Sequence, residues 1–175
     1  MRDNQEVWAE HARTVLIEVA GSYLGTVTYG DLAARIQADT GVRTKSLMQN
    51  WIGETLGRVG AECRRRGEPL LTSLCVSKVD GTVGPGYAVA VTASYGETPE
   101  DVELHAAQER LRCYRHFEAA GLPADGGTAT LTEQVRRARD KTRRRDQSRR
   151  REHGAEMTCG ECYQVQSLTG VCGCH

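Results

Sequence analysis

The sequence predicts a mainly α-helical protein with a small β wing (an α+β fold), built on a winged helix-turn-helix core. Three observations predict it. Two successive stretches, 28–39 and 44–66, carry apolar residues at helical spacing. An apolar, strand-like run at 69–76 follows, and glycine-rich turns lead from it to Tyr87. Because a winged helix-turn-helix has this order of elements, residues 25–87 should form the organising core.

The balance of charge is uneven along the chain. The 175 residues allow one domain and a small appendage. Residues 1–135 carry 13 Lys/Arg against 18 Asp/Glu, whereas residues 136–175 carry 10 against 5. Because no stretch approaches the roughly 18 apolar residues of a membrane span, and the N-terminus lacks a signal-peptide core, we expect a cytoplasmic (intracellular), nucleic-acid-associated protein with reduced cysteines.

Two helices are expected before the central stretch. The first should run from Gln5 to about Ala20, with its apolar side formed by Trp8, Val15, Leu16 and Val19. The second should follow Thr28, because Thr28 and Asp31 resemble a capping box. It should end near Asp39, where Thr-Gly interrupts the pattern.

A longer helix should run from about Thr44 to Arg66. Its inward stripe is formed by Met48, Ile52, Leu56, Val59 and Cys63. Side chains at the start of the second helix of a helix-turn-helix reach base edges, and Asn or Gln can pair with adenine. The candidate DNA contacts of this core are Tyr29, Lys45, Gln49 and Asn50. Glycines at 53, 57 and 60 indicate close approach of a neighbouring helix or a phosphate strand.

The run Pro69–Val76 predicts a buried strand, and turns at 78–81 and 84–86 are compatible with a wing. The following AVAVTASYG could extend a strand, although alanine makes it a weak one. A further helix should open at Thr98-Pro99 and run to about Ala120. Residues 1–120 would then form the core domain, and residues 121–131 a linker.

Three runs carry a resemblance to a known family: VTYGDLAARI, IGETLGRV and VSKVDGTVGPGY. They resemble the C-terminal domain of alkylguanine-DNA alkyltransferases, and the alkyltransferase-like DNA-binding proteins still more. The resemblance covers about 60 of the 175 residues. It implies a winged helix-turn-helix that binds DNA mainly from the minor-groove side and can flip a nucleotide out of the stack.

The sequence departs from that family at its reactive centre. The Pro-Cys-His-Arg motif is missing, and Ser73 lies nearest the position of the family's cysteine. Cys75 lies in an apolar run without a following histidine, so its pKa should be raised. Asn50 occupies the place of the family's base-displacing arginine. These departures favour DNA binding without alkyl transfer.

An arginine-rich arm is expected at residues 132–153. Ten of the 16 residues from Arg136 to Arg151 are basic, so the arm is either an exposed helix or disordered. Such a run suits phosphate contacts, although it could also be a solvated linker. The candidate phosphate contacts are Arg136, Arg137, Arg143, Arg144 and Arg145.

The tail, residues 154–175, predicts a structural Zn²⁺ site. Two close cysteine pairs, Cys159-x2-Cys162 and Cys172-x-Cys174, resemble a zinc knuckle or small zinc ribbon. Cys174, His175 and the terminal carboxylate compete for the fourth ligand position. The alternative is a tail of reactive thiols or an intermolecular disulfide.

These features together predict a non-enzymatic DNA-binding protein with a structural zinc site. The main alternative is a protein–protein adaptor or assembly factor whose zinc tail and basic arm bind a partner protein. A third possibility is an enzyme that uses Cys75 or Ser73 as its nucleophile.

Overall fold

The computed structural model describes residues 3–156, together with Cys159 and Tyr163. Its helices are α1 (Asn4–Ala20), α2 (Tyr29–Thr40), α3 (Ile52–Arg66), α4 (Pro85–Tyr95), α5 (Val102–His116) and α6 (Glu133–Glu156). Short 3-10 turns cover Met48–Asn50 and Leu71–Leu74, and two strands cover β1 (Val27–Thr28) and β2 (Cys75–Val76). The predicted mainly helical fold with a small β component is therefore confirmed.

The chain divides into two compact units, residues 1–135 and 136–175. The first unit contains α1 to α5 and both strands. The second unit contains most of α6. No helix in the described part of the chain is long and apolar enough to cross a membrane.

The first two helices form where the sequence predicts them. At the start of α2 the Thr28 hydroxyl accepts a hydrogen bond from the Asp31 amide, at 3.1 Å, and so supplies an N-cap. Gly41, with φ of 69°, ends α2 in the left-handed conformation that glycine adopts without strain. The side chains of α1 pack on α2 and α3, and Leu16, Leu32 and Val59 lie in their shared core.

A buried segment, residues 70–76, lies at the centre of the first unit. It contacts α1, α3 and α5, and all seven of its residues are buried. β2 at its end pairs in parallel with β1, in the register Val27 to Cys75 and Thr28 to Val76. The predicted burial is confirmed, but most of the segment is a 3-10 turn and not a strand. Two of its backbone groups bind charged side chains of α5, where a strand would bind the backbone of a neighbouring strand.

The helix predicted to begin near Thr44 begins at Ile52. Residues 41–47 form an irregular connection. The Thr44 amide donates a hydrogen bond to the Gln37 side-chain oxygen, at 3.0 Å, and so attaches this connection to α2. Trp51 then fixes the start of α3 by packing against Trp8, with the two rings tilted by 42° and 4.5 Å between their centroids. The predicted inward orientation of Met48 is wrong, because Met48 belongs to the 3-10 turn before α3 and is 37% exposed.

The run AVAVTASYG belongs to a helix, α4, and the predicted strand extension is wrong. Pro85 occupies the start of α4, where its fixed φ suits the first helical turn, and the alanines favour helix over strand. Between β2 and α4 the chain makes a tight turn, in which the Ser77 amide donates to the Thr82 carbonyl at 2.8 Å. No second wing strand follows this turn among the described residues.

Helix α5 begins at Val102 with Asp101 as its N-cap, later than the predicted Thr98, and ends at His116. The segment 121–131, predicted as a linker, is hydrogen-bonded to the rest of the first unit. Arg115 donates to the carbonyls of Gly126 and Gly127 at 2.8 and 3.1 Å. Thr132, just beyond it, donates to the Gly81 carbonyl at 2.9 Å.

Substitution of the α2 cap tests this account of the helix start. We expect Thr28→Ala to lower the free energy of unfolding by about 1 kcal/mol, because the Asp31 amide loses its partner. Urea denaturation measures the change. Thr14→Ala is the matched control, since the Thr14 hydroxyl bonds only to a carbonyl within its own helix, and should change stability little. Equal losses in both variants would contradict the capping role.

Candidate nucleic-acid interface

A cleft of about 360 Å³ opens on the first unit. Helices α3 and α4 form two of its walls, and Tyr29 at the start of α2 and the 3-10 turn at 48–50 complete it. Ile52 and Leu56 give it an apolar lining on the α3 side. Its size lies near the lower end of the range for ligand-binding pockets in proteins.

Three glycines keep the cleft open. Gly53 and Gly57 of α3 and Gly86 of α4 line it, and no neighbouring atom lies within 4 Å of the position that a Cβ would occupy. Gly60, one turn further along α3, faces α4, and a Cβ there would lie 3.5 Å from that of Ala90, which is ordinary van der Waals contact. None of the three α3 glycines is therefore required by the packing of a neighbouring helix, and Gly53 and Gly57 leave room in the cleft.

The cleft presents a few polar groups. The Tyr29 hydroxyl accepts the Gly84 amide at 2.6 Å, and burial raises the pKa of Tyr29 to about 12. The phenol therefore keeps its own proton at neutral pH and can donate it to a ligand. The Thr72 hydroxyl is buried and has no hydrogen-bond partner among the described residues. Gln49 lines the same cleft from the 3-10 turn, with its side chain exposed.

Tyr87 forms another part of the cleft wall. Its hydroxyl is 3.0 Å from Nδ1 of His105, on α5. Burial raises the pKa of Tyr87, so this side chain also stays a neutral phenol. Neither Thr72 nor Tyr87 is a candidate from the sequence alone, because Pro69–Val76 and the run after Tyr87 both have the composition of strands.

The structure places the predicted contact residues of the core in two groups. Tyr29 and Gln49 meet in the cleft lining. Lys45 and Asn50 are exposed in the segment that leads into α3. The prediction that Lys45, Gln49 and Asn50 lie at the N-terminal end of the second helix is wrong, since α3 starts after all of them.

Cations without an internal partner are concentrated on the segments that lead to the cleft. Among the described cations of the first unit, Arg43, Lys45 and Lys78 make no side-chain hydrogen bond or ion pair with a described residue. The others bind carboxylates or backbone carbonyls: Arg13, Arg35, Arg58, Arg64, Arg65, Arg66, Arg110, Arg112 and Arg115. The positive charge open to a partner is therefore local, although this unit is acidic in total.

The candidate nucleophiles lie outside the cleft. Cys75 and Ser73 are both fully buried, and neither contributes to the cleft lining. Burial raises the pKa of the Cys75 thiol, and the Ser73 carbonyl is held by the Arg110 guanidinium at 3.1 Å. Burial likewise raises the pKa of Cys63 and Cys113. None of these thiols is poised to react as a thiolate.

The basic arm of the second unit is helical and exposed. The predicted phosphate contacts on α6 all have exposed side chains: Arg136, Arg137, Arg143, Arg144 and Arg145. Asp140 pairs with Arg143 one turn away, at 3.2 Å. Of the two predicted states of the arm, the structure has the exposed helix.

The predicted zinc ligands fall almost entirely outside the described residues. Cys159 is buried, and its carbonyl accepts the Tyr163 amide at 2.9 Å. Cys162, Cys172, Cys174 and His175 lie outside the described part of the chain. Within that part, no three side chains of the metal-binding types come together.

Comparison with known proteins found no family model, no curated protein and no solved structure that matches the chain.

Thiol labelling tests the inertness of Cys75. Because burial raises its pKa, we expect Cys75 to remain unmodified when the native protein is treated with iodoacetamide at about pH 8. Peptide mass spectrometry should find it alkylated only after unfolding in guanidinium, which is the control for reagent and detection. Rapid alkylation of Cys75 in the native protein would overturn this assignment and revive a cysteine nucleophile.

Proposed function

We propose that this is a non-enzymatic DNA-binding protein whose first unit accepts one displaced base in the cleft beside α3. The observation that carries the proposal is the apolar cleft whose walls include bare backbone at Gly53, Gly57 and Gly86. A base that leaves the stack needs a pocket with apolar faces and a few hydrogen-bonding groups at its edge. Tyr29 and Gln49 are groups of that kind in this cleft.

The cost of the glycines supports a ligand in the cleft. A glycine in a helix interior lowers stability by about 1 kcal/mol relative to alanine. At Gly57 an alanine would meet no neighbouring atom, so packing within the chain does not account for glycine there. A flat ligand lying against the helix backbone does account for it, because a side chain at this position would occupy the ligand's space.

Charge and family resemblance support DNA as the source of that ligand. Among the described cations of this unit, Arg43, Lys45 and Lys78 remain available to phosphates. In the proposed interface α2 and α3 act as a helix-turn-helix of the alkyltransferase-like type. The turn at 77–82 takes the place of the wing, and Asn50 stands where that family has an arginine.

The proposed activity is binding without chemistry. A transferred group needs an accessible nucleophile, and both Cys75 and Ser73 are fully buried behind the cleft-forming elements. The elevated pKa of Cys75 removes the thiolate that such a transfer requires. The arm contributes affinity through phosphate contacts from Arg136, Arg137, Arg143 and Arg144, which makes binding depend strongly on salt.

One observation favours the adaptor alternative. The first unit carries 18 acidic against 13 basic residues, and an acidic surface repels DNA everywhere except at a local basic patch. An adaptor would use the basic arm and the tail to bind a partner protein, and the cleft would have no role in binding DNA. Variants of the cleft therefore separate the two functions.

The tail is proposed to hold one structural Zn²⁺ through Cys159, Cys162, Cys172 and either Cys174 or His175. The spacing of the cysteines supports this site. A bound zinc ion would stabilise the fold of a tail that has few apolar residues of its own.

Filling the cleft tests the DNA-binding proposal. The probe is a duplex with 2-aminopurine at a mismatch, whose fluorescence rises when the base leaves the stack. We expect the wild-type protein to bind it and raise its fluorescence, and Gly57→Leu to abolish the rise and weaken binding about tenfold. Ala61→Leu places the same side chain one turn further along α3, outside the cleft lining, and should behave as wild type.

Two outcomes would count against the proposal. Equal fluorescence with wild type and Gly57→Leu would exclude the cleft as the base site. Failure of the wild-type protein to bind any duplex at about 50 mM salt, where phosphate contacts are strongest, would exclude DNA binding and favour the adaptor. Urea denaturation of each variant checks that folding is intact, and leucine is a better helix former than glycine.

Metal analysis tests the tail. We expect protein purified under reducing conditions to contain one zinc per chain, and Cys162→Ser to lose most of it, because a structural site needs all four ligands. Cys113→Ser is the matched control, since Cys113 is buried in the first unit and should leave the zinc content unchanged. Wild-type protein free of zinc would contradict the site.

A further inference from the structure

Arginine pairs recur along α6 with a period of seven residues. The pairs are Arg136-Arg137, Arg143-Arg144 and Arg150-Arg151. All six side chains are exposed. Seven residues make nearly two helical turns, so corresponding members of successive pairs lie almost above one another and shift by only about 20° per repeat.

The pairs therefore form two separate stripes on the helix. Neighbouring residues in a helix point about 100° apart, so the first members form one stripe and the second members another. Each stripe extends over 15 residues, whose 14 steps of 1.5 Å give a length of about 21 Å. We refer to them as the first stripe (Arg136, Arg143, Arg150) and the second stripe (Arg137, Arg144, Arg151).

The face between the stripes carries shorter polar side chains. Asp140 and Gln147 are also seven residues apart and fall between the two stripes by helical angle. Asp can accept a hydrogen bond from cytosine, and Gln can pair with adenine, at base edges in the major groove. The opposite face of the helix carries Ala138, Thr142, Arg145 and Arg149 and has no comparable repeat. Arg145, a candidate phosphate contact from the sequence alone, therefore lies outside both stripes.

We propose that α6 lies in the major groove of duplex DNA, with the first stripe on one phosphate backbone and the second stripe on the other. This inference rests on the proposed DNA binding and adds the groove and the contact face. A major groove about 12 Å wide admits a helix whose diameter with side chains is about 10–12 Å. A helix in that position has a phosphate backbone on each side. The two arginine stripes, which lie on the half of the helix that faces the groove, would each face one of these backbones.

The geometry distinguishes B-form DNA from other polyanions. The major groove of A-form RNA is too narrow and deep for a helix to enter. A single strand has one backbone and would engage one stripe. An acidic protein partner would attract all the arginines, with no preference for the paired stripes over Arg145 and Arg149.

Matched double variants of the full-length protein test the proposal. Arg143→Ala with Arg144→Ala removes one member of each stripe, and Arg145→Ala with Arg149→Ala removes the same charge from the opposite face. Binding to a 24-bp DNA duplex is measured across salt. We expect the stripe variant to bind about tenfold more weakly and to reduce the salt slope by about two, because two phosphate contacts are lost. The control variant should keep the wild-type slope.

Two further probes test the groove itself. An RNA duplex of the same sequence should bind the wild-type protein and the stripe variant equally. A DNA duplex with glucosylated hydroxymethylcytosines, which fill the major groove and leave the phosphates unchanged, should bind the wild-type protein as weakly as plain DNA binds the stripe variant. Far-UV circular dichroism of both double variants should match wild type, since each exchanges two arginines for alanine.

The outcomes separate this inference from the proposed function. Equal losses of affinity in the two double variants, or undiminished binding to the glucosylated duplex, would overturn the major-groove placement and leave DNA binding by the first unit intact. Preference for the RNA duplex would overturn it as well. Failure of the wild-type protein to bind any duplex would overturn both.

Discussion

Two neighbouring charged residues of α5, Glu109 and Arg110, hold the buried segment 70–76, and the rest of the first unit depends on them. Glu109 accepts the Leu70 amide at 2.9 Å, and Arg110 donates to the Ser73 carbonyl at 3.1 Å, although each side chain is only 2% exposed. Backbone groups left without a partner inside a protein are destabilising by about 1–3 kcal/mol each, so an irregular buried segment needs such partners. This segment in turn carries β2, which pairs with β1 directly ahead of Tyr29, and it places Thr72 at the cleft.

The internal use of charge explains how an acidic unit can present a basic surface. Most of its arginines are engaged by carboxylates of the same unit, for example Arg13 by Glu68 and Arg58 by Glu54. Such pairs cancel locally and contribute little to the field outside, whereas Arg43, Lys45 and Lys78 keep their charge for a partner. The basic helix α6 adds a second positive surface in the second unit, where acidic residues are few. Net charge over the whole chain describes neither surface.

The glycines of α3 that line the cleft lower the stability of that helix. Gly53 and Gly57 have this effect although no neighbouring atom requires a glycine at either position. The same helix contributes Ile52, Leu56 and Val59 to the core or the cleft wall. Sites for ligands are commonly built in this way, with a rigid apolar frame and a local departure from ideal helix composition. The buried thiols nearby belong to the frame, because their raised pKa keeps them neutral and their side chains pack as small apolar groups.

The sequence by itself determined the elements whose signals are local. Thr28 with Asp31 specified the start of α2, Gly41 its end, and the charge density of residues 136–151 an exposed arm, because capping, left-handed turns and solvation depend on neighbours in the chain. The tertiary structure alone decided the rest. The apolar composition of residues 70–76 is compatible with a buried strand and with a 3-10 turn. The hydrogen bonds of Glu109 and Arg110, more than 30 residues away, favour the turn. The start of α3 was likewise set by the contact between Trp51 and Trp8, and α4 packs against α3. The cleft is formed by residues from four separate segments, so no periodicity in the sequence could have revealed it.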